Sequence, residues 1–206
     1  MILYFIVESF VFMIHKNKGG VIVKNKHGYN KNIPVNLKYC RYLGEGHSGQ
    51  VYLMPNGKVL KIFKSSKSCK REFDILKSVE ESPHFPKAYK MDNYYIIREY
   101  VEGMNVKDYL IKYGLSKSFV IRIAELIDHM KKLKFTKLEI RFPHLFIQED
   151  GTLMLIDPRK SYEQNIPYPK SFLRKLKKMG LLERFIKILD EERPDMKFPI
   201  THNKTK

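Results

Sequence analysis

The sequence is poor in cysteine and in acidic residues, and both shortages limit what the protein can be. Its two cysteines, Cys40 and Cys69, fit no zinc-ligand spacing and are too few for a disulfide framework. We therefore expect two free thiols and a cytoplasmic protein. The 206-residue chain has 39 Lys and Arg residues against 22 Asp and Glu residues, which gives a formal net charge of +17. This excess favours polyanionic partners such as nucleotides, nucleic acids and acidic membrane surfaces.

The positive charge alone does not select one of these partners. The lysines are scattered along the chain, so an ordinary solvated surface explains the charge better than a dedicated nucleic-acid face. Nucleic acid and anionic membrane surfaces therefore stay open as partners, but neither is favoured.

The chain also lacks an apolar run long enough to cross a bilayer. Residues 1–14 are almost entirely apolar, but Glu8 interrupts them, and a spanning helix needs about 20 apolar residues. Neither a basic n-region nor a small-residue cleavage site is present, so no signal peptide is expected. Residues 1–20 are a hydrophobic leader with three interpretations: a weak membrane or partner anchor, a strand, or the product of a wrongly chosen start codon.

Residues 21–206 are long enough to bury the core of a single domain, and we expect one domain there.

Short strand-like segments dominate the part of the chain that follows the leader. They lie at 21–23, 39–43, 51–54 and 58–63, and the Asn56-Gly57 pair between the last two is a strong hairpin signal. The glycine-rich run GEGHSG occupies positions 44–49. A dinucleotide-binding fold needs a helix directly after such a run, but here the chain continues as a strand, which excludes that fold.

The run LGEGHSGQVY at 43–52 resembles the glycine loop of the protein kinases, including the valine two places after the third glycine. The resemblance implies that Gly44, Gly46 and Gly49 let backbone N–H groups approach the phosphates of ATP. It also implies that Val51 covers the adenine.

A second match, VLKI at 59–62, stands where the kinases carry V-A-I-K. Period-two alternation places Val59 and Lys61 on one face of the strand, and Leu60 and Ile62 on the other. The resemblance makes Lys61 the candidate phosphate-binding and catalytic lysine, with Val59 lining the nucleotide site.

Glu72 strengthens the case for Lys61. A helix predicted at 68–81 places Glu72 in register with Leu76 and Val79, on its apolar face. A buried carboxylate without a partner costs several kcal/mol. The kinase pattern supplies Lys61 as that partner.

A third match, REYVEG at 98–103, resembles the segment that links the two kinase lobes and binds adenine through its backbone. By this resemblance, Glu99 and Val101 present main-chain groups to the base. Arg98 stands where kinases usually carry a gatekeeping side chain, and it either turns outward or meets a phosphate.

The segment KLEIRFPH at 137–144 falls in register with the kinase catalytic loop when counted back from the strand that ends at Asp157. In that register Glu139 replaces the catalytic aspartate, and Arg141 replaces the lysine that steadies the transferring phosphate. His144 replaces the metal-binding asparagine, and Asp157 is the metal-binding aspartate.

These replacements keep most of the chemistry. A glutamate can still orient or deprotonate a hydroxyl, and an arginine can form bidentate hydrogen bonds to phosphate oxygens. Imidazole suits manganese or zinc better than magnesium, so the expected cofactors are ATP with Mg²⁺ or Mn²⁺. Bacterial lipopolysaccharide and sugar-acid kinases show a similar pattern, with a histidine like His144 and an arginine like Arg159. An alternative is that Glu139 and Arg141 only pair with each other.

The chain after Asp157 has no A-P-E motif and carries Pro158-Arg159 in place of Phe-Gly. Residues 106–113 resemble the short helix that opens the second kinase lobe. Amphipathic helices are predicted at 119–133 and, in the tail, at 171–179 and 181–192. This short tail resembles that of small bacterial proteins labelled serine/threonine kinases, and the likeness covers residues 21–196.

The resemblance implies an α+β, two-lobed protein-kinase-like fold. Its N-lobe, about residues 21–99, would be an antiparallel sheet with one helix. A hinge at about 99–104 would lead to a reduced, mainly helical C-lobe at about 105–206.

Three functional hypotheses follow from the sequence. The leading one is an ATP-dependent phosphotransferase that acts on a hydroxyl acceptor, with protein serine or threonine favoured and a sugar or other small molecule kept open. The second is a pseudokinase that binds nucleotide or a partner. The third is a nucleic-acid or membrane-surface binder with a kinase-like shell.

Overall fold

A computed structural model describes residues 6–7, 10–11, 14–17, 20–24, 30–33, 35–158 and 160–199, with side chains at Ile33 and in the last two ranges. The chain forms two compact units. The first comprises Met1–Phe73 and Lys87–Tyr100, and the second comprises Asp74–Pro86 and Val101–Lys206. The assignment of residues 1–20 to a leader and of the rest to lobes and a hinge stays a prediction.

The strands that precede the glycine-rich run form two small antiparallel sheets. They are a pair, β1 (Ile6–Val7) and β2 (Phe10–Val11), and a three-stranded sheet of β3 (Ile14–Asn17), β4 (Gly20–Lys24) and β5 (Asn30–Ile33). The strand predicted at 21–23 is confirmed by β4. The segment between the strands predicted at 21–23 and 39–43 contributes β5 and a short 3₁₀ helix at Leu37–Tyr39.

A five-stranded antiparallel sheet is the centre of the first unit, with strand order β6-β7-β8-β10-β9. Its strands are β6 (Arg41–Gly46), β7 (Gly49–Leu53), β8 (Val59–Phe63), β9 (Ala88–Asp92) and β10 (Tyr95–Arg98). The three predicted strands around the glycine-rich run are confirmed, although β6 continues through two of its glycines. Helix α1 (Ser66–Ser78) follows β8 and confirms the helix predicted at 68–81, two to three residues earlier.

The two faces of this sheet carry different residues, as the period-two pattern of β8 predicts. Leu60 and Ile62 belong to a core cluster with Ile33, Met54 and Tyr95. Partly buried side chains extend that cluster, namely Val35, Leu37, Cys40, Tyr52 and Ile97. Val59 and Lys61 lie on the opposite face, because neighbours along a strand point to opposite sides.

The second unit is mainly helical and holds one small sheet. Its elements are β11 (Met104–Asn105), α2 (Val106–Tyr113), α3 (Lys117–Lys132), a 3₁₀ helix (Phe142–His144), β12 (Leu145–Ile147), β13 (Leu153–Leu155), α4 (Lys170–Lys178) and α5 (Leu182–Glu192). Strands β11, β12 and β13 pair antiparallel in that order. The four helices predicted here are confirmed, and α2 has the predicted bounds.

Helix α3 shows why these segments are helical. Ser116 caps its N-terminus by accepting a hydrogen bond from the N–H of Phe119 at 3.2 Å. Five apolar residues at helical spacing along α3 are all buried, namely Val120, Ile123, Ala124, Ile127 and Met130. Full burial of a large apolar side chain contributes about 1.5–3 kcal/mol, so this stripe fixes α3 in the core of the unit.

The architecture is α+β, with an antiparallel sheet and five α-helices among the described residues. None of the helices in these ranges combines the length and apolarity that crossing a membrane requires.

Candidate functional site

The glycine-rich run forms the tip of the hairpin between β6 and β7. His47 and Ser48 make the turn, and Gly46 pairs with Gly49 at the ends of the two strands. The backbone carbonyl of Ser48 accepts a hydrogen bond from the N–H of Lys64 at 2.8 Å, just after β8. The ammonium of Lys64 also lies 2.9 Å from the carboxylate of Glu45. Lys64 thus holds the tip of the hairpin beside β8.

The glycines of this hairpin meet different surroundings. A Cβ built at Gly49, where φ is +156°, would lie 1.8 Å from the backbone oxygen of Ile62, so the packing of β7 on β8 requires glycine there. A Cβ built at Gly46 meets no heavy atom of the described residues within 4 Å. The fold itself therefore gives no steric reason for glycine at position 46.

Lys61 and Glu72 form a buried ion pair in the first unit. The ammonium of Lys61 donates hydrogen bonds to both carboxylate oxygens of Glu72, at 2.7 and 2.6 Å. The two side chains are only 6% and 1% exposed. Val51 of β7 is paired with Lys61 across the sheet, and the neighbouring Val59 is 1% exposed. The predicted pairing of Lys61 with Glu72 is confirmed.

Arg98 and Glu99 adopt an arrangement that the sequence did not indicate. Arg98 is buried, and its Nη1 donates to the backbone oxygen of Glu99 at 2.8 Å. The N–H of Glu99 donates to the backbone oxygen of Lys87 at 2.9 Å, and its carboxylate accepts from the N–H of Lys87 at 3.0 Å. Both main-chain groups of Glu99 thus already have partners, although the carbonyl keeps a second lone pair. Val101, the other residue expected to contact adenine, is 6% exposed.

His144 and Asp157 come together in the second unit. Nδ1 of His144 lies 3.6 Å from Oδ2 of Asp157, and the two side chains are 27% and 10% exposed. The backbone oxygen of His144 accepts from the N–H of Ile156 at 2.9 Å, which fixes the two residues side by side. Arg159, which the sequence grouped with them, lies outside the described residues.

A nitrogen and a carboxylate oxygen at this separation fit the donor set expected for a divalent cation. Carboxylate suits Mg²⁺ or Mn²⁺, which keep several water ligands and take the rest from substrate phosphates, and imidazole suits Mn²⁺. The described ranges contain no group of three or more His, Cys, Asp or Glu side chains placed to hold a metal. Within these ranges, His144 and Asp157 are the two side chains that we assign to a cation here.

Glu139 and Arg141 lie near the 3₁₀ helix but do not pair with each other. Oε2 of Glu139 accepts a hydrogen bond from the N–H of Ser171 at 3.3 Å, at the start of α4. Arg141 is exposed. Among the residues that the structure describes, no ion pair joins Glu139 to Arg141. The remaining lone pairs of the Glu139 carboxylate can still accept hydrogen bonds from other groups.

His84 was missed by the sequence analysis. Its backbone oxygen accepts from the N–H of Leu155 at 2.8 Å, and its Nδ1 donates to the backbone oxygen of Leu153 at 2.8 Å. His84 thus fixes β13, the strand that leads to Asp157. The only signal in the sequence was a histidine beside two prolines, and this does not identify a contact 69 residues away.

A second histidine lies beside it. The rings of His84 and His129 pack edge to face with centroids 4.9 Å apart, and Nε2 of His129 lies 2.7 Å from Oγ of Ser82. Burial, followed by the charges of His84 and Lys132, lowers the pKa of His129 below its usual 6.5.

No model of a known protein family matches the sequence, and no curated protein does so either.

Proposed function

We propose that this chain is an ATP-dependent phosphotransferase with a protein-kinase-like fold, which moves the γ-phosphate of ATP to a hydroxyl group. The buried Lys61–Glu72 ion pair carries the proposal. A buried ion pair seldom stabilises a fold more than a well-packed apolar pair of similar size would. The sequence keeps two buried charges beside a glycine hairpin, which favours a functional role for Lys61 over a structural one.

In this proposal the first unit binds the nucleotide. Glu72 holds the Lys61 ammonium in place, and Lys61 binds the phosphates of ATP as a point charge. The open space at Gly46 supports the approach of a phosphate to the backbone N–H groups of the hairpin. Val51 and Val59 would contact the adenine. Main-chain groups of residues 99 and 101 would bind its edge.

The second unit supplies the groups for phosphoryl transfer. Asp157 and His144 would hold Mg²⁺ or Mn²⁺, which, when bound, neutralises charge on the transferring phosphate. Glu139 would orient the acceptor hydroxyl and take its proton. Arg141, which is exposed, would bind phosphate oxygens in the transition state.

The acceptor hydroxyl is assigned on the resemblance alone. The small bacterial serine/threonine kinases favour a protein serine or threonine. A sugar or another small molecule is the alternative, because only α4 and α5 follow Asp157 in the described part of the chain. Cys40 and Cys69 form no disulfide, which supports a cytoplasmic location.

A pseudokinase is the second candidate, and two contacts favour it. The carboxylate of Glu139 is engaged with the N–H of Ser171. The carbonyl of Glu99, which would accept a hydrogen bond from adenine, already accepts one from Arg98. A protein with these contacts could bind nucleotide without transferring phosphate.

Thermal shift and ATP turnover test the proposal together. ATP with Mg²⁺ or Mn²⁺ should raise the melting temperature of the wild-type protein, since a ligand at 100 times its Kd stabilises a fold by about 2.7 kcal/mol. Lys61→Met should abolish the shift, and Lys58→Met, which removes an exposed lysine one residue before β8, should keep it.

The variants also separate the two candidates. Lys61→Met leaves the buried carboxylate of Glu72 without its partner. The double variant Lys61→Met/Glu72→Leu removes both charges, and ATP should not raise its melting temperature either. Asp157→Asn and Glu139→Gln should abolish ATP turnover. ATP binding without turnover in the wild type would establish the pseudokinase, and the absence of any shift with either metal would reject the phosphotransferase and a nucleotide-binding pseudokinase.

A further inference from the structure

Helix α4 (Lys170–Lys178) carries a row of positive charge along its exposed side. Five of its nine residues are basic, and the chain has no acidic residue between Glu163 and Glu183. Four of the basic side chains are exposed, namely Lys170, Arg174, Lys177 and Lys178. At 3.6 residues per turn these four lie within an arc of about 100°. We call them the α4 basic row.

The α4 basic row is free to meet a ligand. None of its members forms an ion pair within residues 35–158 and 160–199. Elsewhere in those ranges exposed lysines pair with acidic side chains, as Lys117 does with Glu192 at 2.6 Å. The row is therefore a local concentration of unpaired charge and differs from the mixed surface that the scattered lysines predicted.

The helix dipole does not explain the row. Cations in the last turn of a helix are stabilised by its negative end, which accounts for Lys177 and Lys178. Lys170 is the first residue of α4, where the dipole disfavours a cation. The helix dipole therefore does not account for the basic residue at the N-terminal end of the row.

The opposite side of α4 fixes the helix firmly in the second unit. Phe172, Leu173 and Leu176 are 0%, 6% and 0% exposed. The ring of Phe172 lies 5.1 Å from that of Phe142 and 5.8 Å from that of Phe185. The row is therefore held on a rigid element, which reduces the entropy lost when it binds.

The same burial favours one of two polyanions. An amphipathic helix that lies in a membrane surface inserts apolar side chains among the acyl chains. The large apolar side chains of α4 all point into the protein, so the exposed side offers only charge. Charge alone suits the phosphate backbone of a nucleic acid, to which lysine and arginine side chains bind without reading the bases.

We propose that the α4 basic row binds the phosphate backbone of duplex nucleic acid without sequence specificity. The inference stands apart from the proposed phosphotransferase activity, because it uses no residue assigned to ATP or metal. Arg174 and Lys178, four residues and about 6 Å of helix rise apart, lie on adjacent turns of the row.

Fluorescence anisotropy with a fluorescein-labelled 20-base-pair DNA duplex tests this proposal. Binding should be equal for two unrelated sequences. Between 50 and 200 mM NaCl the logarithm of the binding constant should fall with a slope of about −3.6 against log salt, as expected for four phosphate contacts. Arg174→Gln/Lys178→Gln should reduce that slope by about 1.8 and weaken binding at least about tenfold at 50 mM NaCl.

The matched control is Lys90→Gln/Lys107→Gln, which removes the same charge from exposed positions outside α4. It should leave the slope unchanged, and melting temperatures should show that both double variants are folded. An equal loss of binding in the control would overturn the proposal, because the charge would then act diffusely. So would binding of phosphatidylserine vesicles in place of duplex, or no duplex binding at all.

Discussion

The carboxylate of Glu139 accepts a hydrogen bond from the N–H of Ser171 and so caps the N-terminus of α4. The residue at the N-cap position is Pro169, whose side chain makes no capping hydrogen bond. A carboxylate at this end of a helix also interacts favourably with the helix dipole. Glu139 therefore connects the segment 137–144 to α4 and stabilises the second unit.

Replacing Glu139 should separate this capping role from catalysis. Glu139→Ala removes the cap and should lower the free energy of unfolding by about 1 kcal/mol in urea denaturation. Glu139→Gln keeps an oxygen acceptor and should lose less than half of that, while ATP turnover falls to background. Equal turnover in Glu139→Gln and wild type would show that Glu139 only caps the helix.

The Lys61–Glu72 pair should show strong coupling in a double-mutant cycle. Glu72→Leu leaves a buried ammonium behind and should cost about 3–5 kcal/mol of unfolding free energy. Lys61→Met should cost a similar amount for the same reason. The double variant should lose clearly less than the sum of the two, measured by denaturant unfolding. Additive losses would mean that the two charges do not depend on each other.

The hairpin glycines should respond differently to alanine. Gly49→Ala places a Cβ against the backbone of Ile62 and should destabilise the protein by at least about 1–3 kcal/mol, or prevent folding. Gly46→Ala should change stability by less than about 1 kcal/mol but weaken ATP binding, as measured by thermal shift with and without ATP. Unchanged ATP binding in Gly46→Ala would argue against phosphate contact at this glycine.

The lowered pKa of His129 predicts a loss of stability in mild acid. The folded protein binds a proton at His129 less readily than the unfolded chain, whose histidine titrates near 6.5. The stability that comes from neutral His129 is thus present above pH 6.5 and is lost as the pH falls through the folded pKa. The slope should stay below about 1.4 kcal/mol per pH unit, because a single histidine takes up at most one proton.

Urea unfolding between pH 5 and 8 measures this effect. His129→Gln, which cannot titrate, should show a shallower decline of unfolding free energy below pH 6.5 than the wild-type protein. Parallel curves for the two proteins would assign the decline to other groups.

The elements of the fold could be predicted wherever the local pattern was strong. Helix α2 is bounded by an Asn105 cap and by Gly114, where φ is +72°, and both signals are visible in the sequence. Strand β9 was missed because only Ala88 among its five residues is fully buried, so its sequence shows no clear alternation.

The sequence by itself determined the face of β8 that carries Lys61 and the inward position of Glu72, since each follows from a period within one element. Only the tertiary structure decided that Glu139 caps α4, that Arg98 turns inward to the carbonyl of Glu99, and that His84 holds β13. It also showed that Ile33 is fully buried in the core cluster of the first unit. The side chains of Glu139, Arg98 and His84 hydrogen-bond to backbone groups, so their partners depend on how the chain packs and leave no pattern in the residues themselves.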